Sequence, residues 1–141
     1  IIKCCANKSH IIEKDQFDLN ERLKLNFGHT IGHAIETHLN YQSISHGDAV
    51  YYGMIAASYI SNKKGCLSNE DFNHICDQIQ LIPKYELKNI NDKDIFHYIK
   101  YDKKNIRNKL QFILLNNLGD AFVDDSVTNT EIQESIRYIL K

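Results

Sequence analysis

A segment that combines histidine with glycine, residues 25–36, constrains the fold of this chain more than any other part. His29 and His33 are four residues apart, so on a helix their side chains project from one face, about one turn apart. Gly28 and Gly32 flank the two histidines and leave that face with little bulk. The pattern therefore predicts a helix that a ligand or another backbone can approach closely.

The spacing of His29 and His33 is used when one helix offers two nitrogens to a zinc ion. His46 follows after a loop and can fold back to supply a third imidazole. Zinc proteases of the HExxH type carry a glutamate base directly after the first histidine, where this chain has Thr30, so a zinc protease is not predicted. The residues alone predict a metal site of three histidines. The histidines predicted to be ordinary surface or partly buried residues are His10, His38, His74 and His97.

Polar residues around the histidines indicate what such a site would bind. Glu36 lies on the face of His33, and two roles are open for it: accepting a hydrogen bond that orients an imidazole, or forming an ordinary helix salt bridge. Arg22 and Asn26 shortly precede His29, and a guanidinium binds a carboxylate or phosphate through two hydrogen bonds. An anionic, hydroxyl-bearing substrate chelated to a metal is therefore predicted. The other cationic residues assigned to this neighbourhood are Lys8, Lys103 and Lys104.

Composition excludes several other classes of protein. The chain has 141 residues, enough for one domain with a core, and its net charge of -1 does not attract nucleic acid or an anionic membrane. No apolar run approaches the roughly 20 residues that cross a bilayer. We therefore expect a cytoplasmic protein that binds neither nucleic acid nor membrane. The four cysteines, expected to be reduced and mostly buried, are Cys4, Cys5, Cys66 and Cys76.

Hydrophobic periodicity predicts a mainly α fold with one small β-hairpin. Helices are predicted at residues 1–14, about 29–40, about 48–64, about 69–80, 91 to about 101 and from Thr128 or Asn129 to the end, with strands at 110–115 and 121–123. The predicted ends include Asp48 as an N-cap, Gly65 as a helix stop, Ser68 as an N-cap and a basic turn at 102–105.

The motifs at residues 25–36 and 46–54 resemble those of the 3-dehydroquinate synthases, LNxGHTxGHAxE followed by HGEAVxxGM. The resemblance covers most of the chain, upstream through Lys8 and Arg22 and downstream through residues 102–104, 110–115 and Gly119. It implies an enzyme of the shikimate pathway that uses NAD and zinc (or cobalt). Such an enzyme converts 3-deoxy-D-arabino-heptulosonate 7-phosphate to 3-dehydroquinate and phosphate. Residues 1–141 correspond to its helical C-terminal domain, which binds metal and substrate.

The resemblance assigns individual roles that differ from the prediction of three histidine ligands. It implies that His29 and His46 are zinc ligands, whereas His33 contacts the substrate and assists the elimination of phosphate. Asn26 corresponds to an amide near that phosphate. Lys8 and Arg22 are implied to hold the substrate, chiefly its carboxylate. One of Lys103 and Lys104 is implied to be a further substrate-binding lysine.

The sequence also departs from the family pattern. Asp48 and Asp18 replace glutamates, which keeps the charge and shortens the reach, and residues 20–21 replace a Gly-Leu pair. The family's third zinc ligand and its Gly-rich NAD-binding domain correspond to no part of this sequence, which opens on Ile1 rather than on Met. We therefore expect a C-terminal part of a longer enzyme, inactive alone, which an N-terminal NAD-binding domain and a second subunit complete. Two alternatives stay open: another sugar phosphate cyclase, such as a 2-deoxy-scyllo-inosose synthase, and a non-catalytic metal-binding module.

Overall fold

The computed structural model describes residues 1–15, 21–80, 82, 85–105 and 110–141, with the backbone alone at Gln80 and at residues 102–105. The predicted mainly α fold with one hairpin is confirmed. The helices are α1 (Ile2–Lys14), α2 (His29–His38), α3 (His46–Lys63), α4 (Asn69–Gln80), α5 (Asp92–Asn105) and α6 (Asn129–Ile139), with a 3₁₀-helix at Arg22–Asn26 and strands β1 (Phe112–Asn117) and β2 (Asp120–Asp124).

Helices α2 and α3 pack with their backbones in direct contact. A Cβ added at Gly53 would lie 1.8 Å from the carbonyl oxygen of Gly28 and 2.9 Å from the backbone nitrogen of Gly32. Gly28 has φ +82°, and a Cβ there would lie 2.8 Å from the carbonyl oxygen of Val50. What approaches the glycine face of the histidine helix is therefore another backbone, which was one of the two predicted possibilities.

The core surrounds α3, which contacts α2, α4, α6 and β1. Ile35 and Ile60 are fully buried in it, and Ile136 of α6 packs in the same cluster. The hairpin joins this core through a buried hydrogen bond in which the backbone N–H of Leu115 donates to the hydroxyl of Ser61 at 3.0 Å. This hydrogen bond holds the hairpin against α3.

Two predicted helix boundaries are wrong. Ser45, not Asp48, caps α3, because its hydroxyl accepts the backbone N–H of Asp48 at 3.1 Å while donating to the Asp48 carboxylate at 2.8 Å. Helix α3 therefore begins at His46. The predicted basic turn at 102–105 continues α5 as far as Asn105, in keeping with the good helix propensity of lysine.

Three predicted helix ends are confirmed. Gly65 follows α3 with φ +76°, and the Ser68 hydroxyl accepts the backbone N–H of Asp71 at 3.0 Å. Thr128, rather than Asn129, caps α6.

The expectation of mostly buried cysteines is wrong, because α1 has no buried residue. Cys4 and Cys5 are exposed, Cys66 is half-buried and Cys76 is buried.

An ion-pair cluster ties the end of α3 to β2 and to the start of α6. The Lys64 ammonium lies 3.5 Å from Asp124 Oδ2 and 3.6 Å from Glu131 Oε1. Burial alone would raise the pKa of Asp124, but hydrogen bonds from Ser126 and the charge of Lys64 outweigh it and lower that pKa from its usual 3.8. The pKa of Glu131 is likewise lowered from 4.5, because hydrogen bonds from Thr128 and the Lys64 charge outweigh burial.

We expect Lys64→Met to lower the free energy of unfolding by about 1 kcal/mol at neutral pH, because it strands two half-buried carboxylates. Carboxyls with a lowered folded pKa contribute stability above their ordinary pKa and lose it as pH falls through the folded value. The difference should therefore shrink as pH falls below 3.8. Urea unfolding at neutral pH and at about pH 3 measures it, with exposed Lys3→Met as the control. A difference that does not change with pH would contradict this assignment.

None of the helices in the described part of the chain is both long and apolar enough to span a membrane.

Candidate metal and substrate site

Three imidazoles meet where α2 begins against α3. His29 is the first residue of α2, His33 follows one turn later, and His46 is the first residue of α3. One ring nitrogen from each lies within 4.8 Å of the others, and the ring centroids are 5.4 to 5.8 Å apart. The structure therefore brings together the three histidines that the sequence singles out.

Hydrogen bonds fix the tautomer of two of these imidazoles. His29 Nδ1 lies 3.2 Å from the carbonyl oxygen of Phe27, and His46 Nδ1 lies 3.1 Å from Glu36 Oε2. A carbonyl or a carboxylate oxygen only accepts, so Nδ1 is the protonated nitrogen in each ring. Nε2 of His29 and His46 is left with the lone pair that a metal ligand needs.

The donor set fits a borderline divalent cation such as Zn²⁺ or Co²⁺. Two imidazole nitrogens bound to one tetrahedral zinc ion are about 3.3 Å apart, so a small rotation of the side chains closes the 4.8 Å spacing. At catalytic sites these metals are bound by neutral imidazoles, and water or substrate takes a remaining coordination position. Coordination of a tetrahedral ion by two or by all three of these imidazoles leaves at least one position for another ligand, such as a substrate oxygen.

A cavity of about 280 Å³ opens beside the histidines. Its polar lining comes from the 3₁₀-helix, α2 and the chain just before β1, and it consists of Asn26, His29, Thr30, His33 and Gln111. The apolar lining consists of Leu23, Ile99, Leu110 and Ile113. The cavity joins the predicted ligand His29 to two residues predicted to contact substrate, Asn26 and His33.

Sequence reasoning missed Thr30 and Gln111 at this cavity. The Thr30 hydroxyl donates to the carbonyl oxygen of Gln111 at 3.3 Å, which ties the first turn of α2 to the start of β1. The position of Thr30 between His29 and His33 could have indicated that Thr30 lies at the site. Nothing in the sequence indicated Gln111, because it lies 81 residues from Thr30, beside an apolar strand.

The predicted substrate cations lie outside this cavity lining. Arg22 is exposed at the start of the 3₁₀-helix, where its backbone N–H donates to Asp15 Oδ2 at 3.1 Å. Lys8 is exposed on α1. The side chains of Lys103 and Lys104 and the whole of Asp18 lie outside the described residues. The substrate roles of these cations stay predictions.

Comparison with known proteins shows which proteins this chain is similar to. The family model for the C-terminal part of 3-dehydroquinate synthase matches residues 1–105. The 3-dehydroquinate synthase of Clostridium beijerinckii is 40% identical over 134 residues, which cover 93% of this chain and 37% of that protein. That of Clostridium perfringens (strain SM101) is 41% identical over 127 residues, covering 87% of this chain and 35% of that protein. The chain thus spans about a third of the length of these curated relatives.

A solved structure shares the fold. A 2-deoxy-scyllo-inosose synthase complexed with carbaglucose-6-phosphate, NAD⁺ and Co²⁺ superposes with a TM-score of 0.79 and 31% identity. The superposition covers 96% of this chain and 39% of that one. The fold of this chain is therefore found as part of a longer chain in that synthase.

Proposed function

This chain belongs to the 3-dehydroquinate synthase C-terminal family, and we propose that it forms the metal- and substrate-binding part of a 3-dehydroquinate synthase. The complete enzyme is a carbon–oxygen lyase of the shikimate pathway. It converts 3-deoxy-D-arabino-heptulosonate 7-phosphate to 3-dehydroquinate and phosphate. The observation that carries the proposal is the pairing of two oriented imidazoles, His29 and His46, beside a cavity lined by Asn26 and His33.

Within this enzyme His29 and His46 would hold the metal through Nε2. The bound ion supplies Lewis-acid chemistry, polarising the substrate hydroxyls that it chelates. His33 lies one helical turn from His29 and lines the cavity. In this proposal it moves a proton at the departing phosphate. Asn26 donates to the phosphate from the same wall.

Cationic side chains complete the binding of an anionic substrate in this proposal. Arg22 and Lys8, both exposed, hold the substrate carboxylate, and one of Lys103 and Lys104 assists. The described residues contain no strand followed by a glycine-rich loop and a helix, the motif that cradles the pyrophosphate of a dinucleotide. We propose that residues outside this sequence bind NAD and supply the third metal ligand. Such an enzyme is cytoplasmic and homodimeric.

The test is turnover by the complete gene product. With NAD and Zn²⁺ present, we expect it to release phosphate from 3-deoxy-D-arabino-heptulosonate 7-phosphate and to form 3-dehydroquinate. Residues 1–141 alone should bind metal without turnover. Phosphate release and product chromatography measure both, and the synthase of Clostridium beijerinckii is the positive control.

The second candidate is a 2-deoxy-scyllo-inosose synthase, favoured by the structural match at a TM-score of 0.79 and 31% identity. Turnover of glucose 6-phosphate with none of the heptulosonate phosphate would establish that reading and refute ours. Metal binding without turnover of either sugar would indicate a non-catalytic metal-binding module. The residues encoded before Ile1 give an independent check, since a glycine-rich NAD-binding segment there supports the enzyme.

A further inference from the structure

Glu36 is the one buried carboxylate among the described residues. Its side chain is 8% exposed, whereas the imidazole that it contacts, His46, is 57% exposed. The contact is the 3.1 Å hydrogen bond from His46 Nδ1 to Glu36 Oε2, which crosses from α2 to α3. In the described part of the chain no lysine or arginine forms an ion pair with Glu36. A buried anion thus faces an exposed ring and lacks a permanent counter-charge.

Such an arrangement is costly for stability alone. Removing a carboxylate from water is unfavourable, and a hydrogen bond from a neutral imidazole N–H offsets only part of that cost. A divalent cation on the far nitrogen of His46 would supply the missing positive charge through the ring. The cost is therefore explained if the carboxylate serves a bound metal.

Resting on the function proposed above, we propose that Glu36 is the positioning residue for the metal ligand His46. Its carboxylate holds the Nδ1–H, which fixes the Nε2 lone pair toward the position shared with His29. Its negative charge also strengthens the imidazole as a donor to the cation. The ordinary salt-bridge role that the sequence left open is replaced by this one.

The decisive variant is Glu36→Gln, which keeps the size and an accepting oxygen but removes the charge. We expect zinc affinity, measured by competition with a chromophoric chelator in the complete gene product, to fall 10–100-fold. Bound Co²⁺ should show an altered visible spectrum. The melting temperature of the metal-free protein should stay the same or rise, because a buried charge has been removed.

A matched control is Glu134→Gln, the same change at an exposed position of α6, which should alter neither readout. A purely structural salt bridge predicts the opposite pattern for Glu36→Gln, with a lower metal-free melting temperature and unchanged zinc affinity. That pattern, with His46→Ala still losing zinc, overturns the positioning role alone. Zinc affinity left unchanged by His46→Ala overturns the assignment of His46 as a metal ligand in the proposed function, and this inference with it.

Discussion

Replacing His46 with alanine is expected to abolish zinc retention by the complete gene product after dialysis. The variant removes one of the two imidazoles proposed to bind the metal through Nε2. One histidine and the ligand proposed to lie outside this sequence then remain, fewer than the three protein ligands of a catalytic zinc site. The loss should exceed the 10–100-fold that removal of an orienting partner costs. Metal content by atomic emission, together with chelator competition, measures it, and His29→Ala should behave in the same way.

Two histidine variants make this test specific. His74→Ala changes an exposed histidine on α4 and should leave zinc content unchanged. His33→Ala should also retain zinc while losing turnover, because His33 is assigned to the substrate. Distance alone does not separate His33 from the other two, since all three offer a nitrogen within 4.8 Å. Loss of zinc in His33→Ala would restore the site of three histidine ligands, and unchanged zinc in His46→Ala would refute the ligand assignment.

The histidine site was largely predictable because its information is local. The interval between His29 and His33 sets one helix face, and a helix places the two imidazoles one turn apart whatever surrounds it. The return of His46 to the same point was also anticipated. The glycines that permit it were visible in the sequence, although their partner, another backbone rather than a ligand, was not.

Other features depend on tertiary contacts that no local pattern records. Glu36 had two possible roles in the sequence, and its contact with His46 of α3, on which the proposed positioning role rests, is visible only in three dimensions. Gln111 reaches the cavity because the hairpin packs against α3, far from the histidines in sequence. Ser45 and Asp48 are both polar residues able to cap a helix. Ser45 is the N-cap because its backbone is extended and its hydroxyl forms reciprocal hydrogen bonds with Asp48.

The same backbone contact makes Gly53→Ala the variant with the largest expected effect on stability. Alanine has the better helix propensity, by about 1 kcal/mol. Its Cβ, however, would lie 1.8 Å from the carbonyl oxygen of Gly28, a backbone atom that cannot rotate away. Overpacking against a rigid neighbour should outweigh the gain, and we expect a net loss of about 3 kcal/mol or more. Urea unfolding monitored by circular dichroism measures it.

A glycine in the same helix provides the matched control. Gly47 also lies in α3, and a Cβ there would meet only the Ser45 hydroxyl at 3.9 Å. Gly47→Ala should therefore leave stability unchanged or raise it by up to about 1 kcal/mol. Zinc affinity should also fall in Gly53→Ala, because α3 must move away from Gly28, the residue before His29. Equal stability of the two variants would contradict the close approach of α2 and α3, on which the geometry of the metal site depends.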